Sequence, residues 1–244
     1  MLERLEKLQQ LRGTLATSEA RGDGCESQFK ARLKEVKAWQ QLRLAQSYAD
    51  LAADARYAPA IAFFLDELYG MKDSTIRDRD LTRMAPTIKR LLPKFAFDAV
   101  DSALELDGLA EEFDQALTKA LGSQALTETS YLRAFRVVGR HDDRLRQIAL
   151  MRAVGEGLDR MVKKPLIFST LKMLRGPAQL AGLGEMQQFL EAGFSAFRHM
   201  KGADYFLATI ALRETLLIER ILAGEVDPFS VIDDWRSLVT PESG

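Results

Sequence analysis

Apolar residues return every third or fourth position along nearly the whole of this 244-residue chain, and no sustained every-second-residue alternation replaces that period. Leu2, Leu5, Leu8, Leu11 and Leu15 open the pattern. After the small, polar stretch ATSEARGDG it resumes from near Ser27 with Phe29, Leu33, Val36, Leu42, Ala45, Ala49 and Ala52. Chains patterned this way bury their apolar stripes by packing helix on helix. The expected fold class is therefore all-α, a multi-helix bundle of about eight or nine helices punctuated by Pro and Gly. Helices are expected at 94–106, 108–121, 127–139, 141–163, 184–201 and 203–223. Residues 1–54 are expected to form an N-terminal amphipathic helical hairpin and residues 55–235 the main helical domain. No fixed repeat runs through the chain, which argues against a solenoid.

The stretch Arg56–Leu81, RYAPAIAFFLDELYGMKDSTIRDRDL, concentrates aromatics, carboxylates and arginines. Pro59 suits the first helical position and Gly70 the left-handed residue that ends a helix. Between them Ile61, Phe64, Leu65 and Leu68 share one face, leaving Asp66, Glu67 and Tyr69 off it. Asp73 or Ser74 can cap a following helix whose first turns carry Arg77, Asp78, Arg79 and Asp80. Pro86 and Pro93 each fit the start of a further short helix. Arg56, Tyr57, Asp66, Glu67, Tyr69, Arg77, Asp78 and Asp80 thus form a candidate cluster with two readings. One is a salt-bridge lock between helices, with Arg77 paired to Asp66 or Glu67; the other is a small polar binding site beside aromatic walls.

FFLDELYG followed by RDRDL, together with RQIAL, RGPAQLAGLGEMQQFLEAGF and GADYFLATIALRE, resembles a bacterial family of helical proteins classed as a domain of unknown function. The resemblance runs from about Tyr48 to Phe229. It implies a helical fold and brings no catalytic residue, cofactor or substrate with it.

Several chemistries lack their residues. Lys and Arg number 34 against 35 Asp and Glu, a balance without the basic excess that draws a protein to phosphate backbones, so no nucleic-acid partner is expected. Cys25 is the single cysteine; it can form no intramolecular disulfide and is expected to be a bystander in a loop. A di-iron bundle needs Glu-x-x-His, but Val138 precedes His141 and Ala196 precedes His199 at that spacing. H-E-x-x-H, the phosphate loop and G-x-S-x-G are missing, and GLGEMQ follows no strand. No metal or cofactor is expected. His199 falls among Phe189, Phe194, Phe197, Tyr205 and Phe206, a stripe read as core rather than as a haem pocket. MLERLEKLQQLRG has no apolar signal region, and no run reaches the roughly 18 residues that cross a bilayer, so the expected location is the cytoplasm.

Charge is unevenly distributed. Asp98, Asp101, Glu105, Asp107, Glu111, Glu112 and Asp114 follow one another without an intervening Lys or Arg, and the sign reverses between Arg133 and Arg175. The two regions are expected to face each other or solvent, with a partner site as the alternative. Within the basic region, MVKKPLIFSTLKMLRGPAQLAGLG mixes Leu166, Ile167, Phe168, Leu171 and Leu174 with Lys163, Lys164, Lys172 and Arg175. It suits core or pocket lining, a partner groove or an anionic membrane surface. Core is the expectation, because Pro165, Gly176, Pro177, Gly182 and Gly184 break the continuous face that membrane contact needs, and no stable membrane attachment is expected. The expected function is a non-enzymatic protein-binding or adaptor module with a protein partner or self-association. A small-ligand sensor or enzyme using the 56–80 cluster is the alternative, and peripheral membrane binding through 161–184 comes after it.

Overall fold

A computed structural model describes residues 1–17, 24–68, 94–173 and 175–232, and every regular element among them is helical. The order is α1 (Leu2–Thr17), α2 (Gly24–Ser47), α3 (Ala49–Ala53), α4 (Ala58–Phe63, running into a π turn at Phe64–Leu68), α5 (Lys94–Leu121), α6 (Glu128–Val138), α7 (His141–Val162), α8 (Pro165–Met173), α9 (Arg175–Leu180), α10 (Gly184–Met200) and α11 (Asp204–Ala223), with a 3₁₀ turn at Pro228–Ile232. The fold is an all-α bundle. Gly70, Tyr69, Asp73, Ser74, Arg77, Asp78, Asp80, Pro86, Pro93 and Leu174 lie outside the described residues.

Local chemistry sets several boundaries. At the start of α6 the Thr127 hydroxyl accepts from the Ser130 N–H at 3.2 Å and Ser130 Oγ accepts from the Thr127 N–H at 2.9 Å. That reciprocal cap satisfies two otherwise orphaned donors. Gly224 ends α11 with φ of 81°, a conformation that a side chain would strain. Residues 94–121 form one helix where two were expected. Gly108 interrupts the propensity by about 1 kcal/mol, and packing of α5 against α1, α2, α6 and α7 outweighs it. Cys25 lies in the first turn of α2, not in a loop.

Two apolar clusters share α2 and α11. Leu44, Tyr48 and Leu51 meet Tyr57, Ile61 and Phe63 of the α4 region and Phe197, Met200, Phe206 and Leu207 of α10 and α11. Val36 meets Leu117, Leu121, Tyr131, Leu132 and Phe135, with Leu217, Ile218 and Ile221 closing the second cluster. Helices α5 and α7 approach so closely at Gly157 that a Cβ there would stand 2.6 Å from Ala99 Cβ. The third cluster, Leu5 and Leu8 of α1 against Leu104, is small.

The π turn changes the face expected for α4. With a wider turn at 64–68, Phe63 as well as Ile61 enters the core, Phe64 and Leu65 pack half-buried against it, and Gln41 Nε2 donates to the Leu65 carbonyl at 2.8 Å. Among the described residues no helix is long and apolar enough to cross a membrane.

Candidate functional site

Arg56 and Tyr57 sit in the turn between α3 and α4, and that turn is knotted to the corner between α10 and α11. Arg56 Nε donates to the Met200 carbonyl at 2.7 Å and Nη2 to the Gly202 carbonyl at 3.3 Å. His199 donates a ring N–H to the Ala55 carbonyl at 2.9 Å. A guanidinium against the last carbonyls of α10 satisfies acceptors that the helix leaves unpaired and suits the negative end of its dipole. The corner passes through Lys201 and Gly202, at φ of 57° and 126°. Tyr57 is 6% exposed, with ring centroids 5.8 Å from both Tyr205 and Phe206. Of the candidate cluster, then, Arg56 and Tyr57 come together and join two turns. Asp66 is exposed. Nothing is described of the Glu67 side chain, and Tyr69, Arg77, Asp78 and Asp80 lie outside the described residues. His199, expected within the aromatic stripe, is exposed beside it.

The basic segment forms α8 and α9, and its outer side is not core. Leu166 is 78% exposed, Met173 81% and Leu180 92%, while Ile167, Phe168 and Leu171 are half-buried. The expectation that Leu166 lines the core is therefore corrected. The segment lies on the flank of α10 and buries one side only. The inner side is fastened by Gln187, whose Nε2 donates to the Leu171 carbonyl at 2.5 Å and to Glu191 Oε1 at 2.9 Å. Arg175 Nε donates to Glu191 at 2.8 Å, and this bond holds the Glu191 carboxyl down at about 2. Lys163 pairs with Asp159 at 2.5 Å. Lys172 lies 4.6 Å and Arg198 4.9 Å from the Phe168 ring centroid, within cation–π range. Lys164 is exposed.

A buried ionisable seam, not anticipated from the sequence, runs along α2 between the two main clusters. Arg213 of α11 is 5% exposed and forks onto Asp50, Nη1 to Oδ1 at 2.9 Å and Nη2 to Oδ2 at 2.6 Å, with Nη1 also donating to the Ser47 carbonyl at 2.7 Å. Next to it Glu214 accepts from Arg43 at 2.6 Å and from the Tyr48 hydroxyl at 2.7 Å. Burial alone would lower the Arg43 pKa, but Glu214 more than offsets it and raises it. Further along, Lys37 of α2 reaches Glu111 of α5 at 2.9 Å and Asp114 at 3.8 Å. Arg144 of α7 stacks on Phe113 and Phe135, its guanidinium 4.3 and 3.4 Å from their centroids, and donates from Nε to the Gly139 carbonyl at 2.8 Å. Burial lowers its pKa to about 10. Tyr131, 3% exposed, lies in the field of Arg43, Arg144, Asp114 and Glu214. The pairs of Lys37 and Arg43 fix the register of α2 against α5 and α11, because a slipped helix would bury charges without partners.

The acidic run of α5 meets the basic region in two places. Arg140 reaches Glu112 at 3.0 Å and Arg146 reaches Glu105 at 2.9 Å. Most of its other cations come from α1 and α2, which sequence reasoning had not connected to it.

An all-α bundle carrying a one-sided basic and apolar flank is the class of protein that fold and geometry define. Residues 19–228 match the family described as Domain of unknown function (DUF8198), and the chain belongs to that family. No curated protein and no solved structure matches the chain.

Proposed function

We propose that this chain is a non-enzymatic helical binding module whose α8–α9 flank engages a protein partner through an acidic, amphipathic segment. The observation that carries the reading is the exposure of Leu166, Met173 and Leu180, at 78%, 81% and 92%, on a stretch with four cations and no carboxylate between Met161 and Gly184. Covering such side chains is worth about 1.5–3 kcal/mol each, a gain that the isolated chain forgoes. Lys164 and Lys172, which remain after Lys163 and Arg175 pair with Asp159 and Glu191, complement acidic residues around an apolar patch. Lipid fits less well. Lys163 and Arg175 are already matched to Asp159 and Glu191, leaving two cations to contribute about 1 kcal/mol each at an anionic surface.

Flotation with vesicles rich in anionic lipid and native mass spectrometry of the freshly purified chain test this together. The expected result is no co-migration at physiological salt and no retained small molecule. Co-migration lost on Lys163→Glu/Lys164→Glu would replace the protein partner with a membrane. A stoichiometric bound ligand would favour a sensor or enzyme built around the Arg56–Asp80 stretch instead.

A further inference from the structure

Where α8 meets α10, cations from both helices converge on one ring. Lys172 Nζ of α8 lies 4.6 Å and the guanidinium carbon of Arg198 of α10 lies 4.9 Å from the Phe168 ring centroid. Both cations are exposed and Phe168 is half-buried. Among the described residues neither cation has a carboxylate within ion-pair distance. Glu191 feels the charge of Lys172, but both of its oxygens are taken. Arg175 Nε donates to Oε1 at 2.8 Å, Gln187 Nε2 donates to the same oxygen at 2.9 Å, and Arg175 Nη2 pairs with Oε2.

Sharing a ring puts the two positive charges within about 10 Å of each other, the screening length at about 0.1 M salt, so they repel. An aromatic face attracts a cation without cancelling its charge. The arrangement is also held in place. Gln187, itself buried, donates to the Leu171 carbonyl at 2.5 Å and ties the backbone beside Lys172 to α10, about three turns before Arg198. Like charges fixed beside an aromatic side chain, with no carboxylate of the chain's own between them, suit an anion, and their pre-ordering lowers the entropic cost of taking one. The surroundings choose its source. Leu166 and Met173 stand exposed on the same helix, so an anion carried by a chain that also covers them gains more than a free one. A phosphate dianion, more strongly hydrated than a carboxylate, fits poorly beside apolar side chains that must be dried to be covered.

We propose that Lys172 and Arg198, beside the Phe168 ring, form the seat for an Asp or Glu side chain of the protein partner, and that Arg198 thereby makes α10 part of the interface. This rests on the reading of α8–α9 as a partner-binding flank and adds the pair that sets the partner's register: its carboxylate stands between the two cations while its apolar residues cover Leu166 and Met173.

The test uses the full chain with a photoreactive amino acid in place of Leu166, irradiated in native cells, and reads the yield of captured protein. Lys172→Gln/Arg198→Gln is expected to lower that yield at least about tenfold without lowering the melting temperature, since both side chains are exposed. Lys172→Arg/Arg198→Lys keeps both charges and is expected to hold the yield within about twofold. Mass spectrometry of the crosslinked peptide should place an Asp or Glu within about two helical turns of the crosslink, the spacing from Leu166 to Lys172. Capture unchanged by the Gln pair overturns the seat and leaves the flank reading standing, whereas no capture by the unaltered probe overturns both. An equal loss in the charge-keeping pair would mean that the two residues act through packing alone, and it overturns the seat. Should the Gln pair melt earlier, Arg198→Gln alone is read in the same way. Capture lost on phosphatase treatment of a lysate before irradiation would make the anion a phosphate. Flotation with anionic vesicles that the Gln pair abolishes would make it a lipid headgroup, and a product crosslinked to a second copy of this chain would make the site a dimer contact. Each of these three results overturns the proposal.

Discussion

Arg213→Ala is expected to destabilise the fold by about 2–3 kcal/mol, below the range for a fully buried pair because the Asp50 side chain keeps 22% of its exposure. The substitution strips Asp50 of both hydrogen bonds from the guanidinium fork and the Ser47 carbonyl of its donor. It also removes the cation 5.4 Å from the Tyr48 ring centroid, at the boundary between the two main clusters. Burial by itself would raise the Asp50 pKa, but its bonds to Arg213 more than reverse that and hold it below its ordinary value, so the lone carboxylate left behind is the costly species. Arg213→Met/Asp50→Leu, which removes both charges, should recover most of the loss. Urea unfolding of the three proteins measures this, and a loss under about 1 kcal/mol for Arg213→Ala would show that the seam does not hold α11 to α2.

Asp114→Asn is expected to stabilise the protein at pH 8 and to change little at pH 5. Burial raises the Asp114 carboxyl from its ordinary 3.8 to about 7, and Glu111 and Asp107 add to that rise while Lys37 and a hydrogen bond from Gln40 oppose it. Tyr131 of α6 and Arg144 of α7 complete its surroundings. Between about pH 4 and 7 the folded chain keeps a proton that the unfolded chain has released. The native state therefore binds more protons, and this group's contribution to stability falls as pH rises through that window. A full rise of this size corresponds to about 4 kcal/mol, but 15% of the side chain remains exposed, which brings the expected gain to about 2 kcal/mol. Asparagine is neutral throughout and can still bond to Gln40. The difference in stability between variant and unaltered chain should thus grow with pH. A difference constant from pH 5 to 8 would mean that Asp114 is ionised across the range.

Helical periodicity made most elements legible, since Leu132, Phe135, Phe197 and Leu217 reach the core through spacing that any helix imposes. The charged interior was not, because Arg213 finds Asp50 and Arg43 finds Glu214 across helices far apart in sequence. A signal was nonetheless present. Arg213 falls on the same stripe as Phe206, Leu217 and Ile221, and Glu111 on that of Leu104 and Thr118; all are buried. A charge inside an apolar stripe needs a buried partner. For the α8–α9 flank, composition identified the segment but not its orientation. Which of Leu166 and Leu171 faces inward depends on how two short helices settle on α10, and no local pattern encodes that. The Arg56 fork was expected among carboxylates and instead found the open carbonyls of a helix end, an acceptor that sequence does not display.

Site-specific photo-crosslinking in native cells tests the central claim most directly. A photoreactive amino acid would replace Leu166 or Met173 on the α8–α9 flank, with Val137, itself 71% exposed, as a control at an apolar surface position on α6. The account expects the same protein to be captured from both flank positions and not from the control, through a segment bearing acidic residues around an apolar stripe. Capture of no protein from either flank position, or of the same proteins from all three, would contradict it.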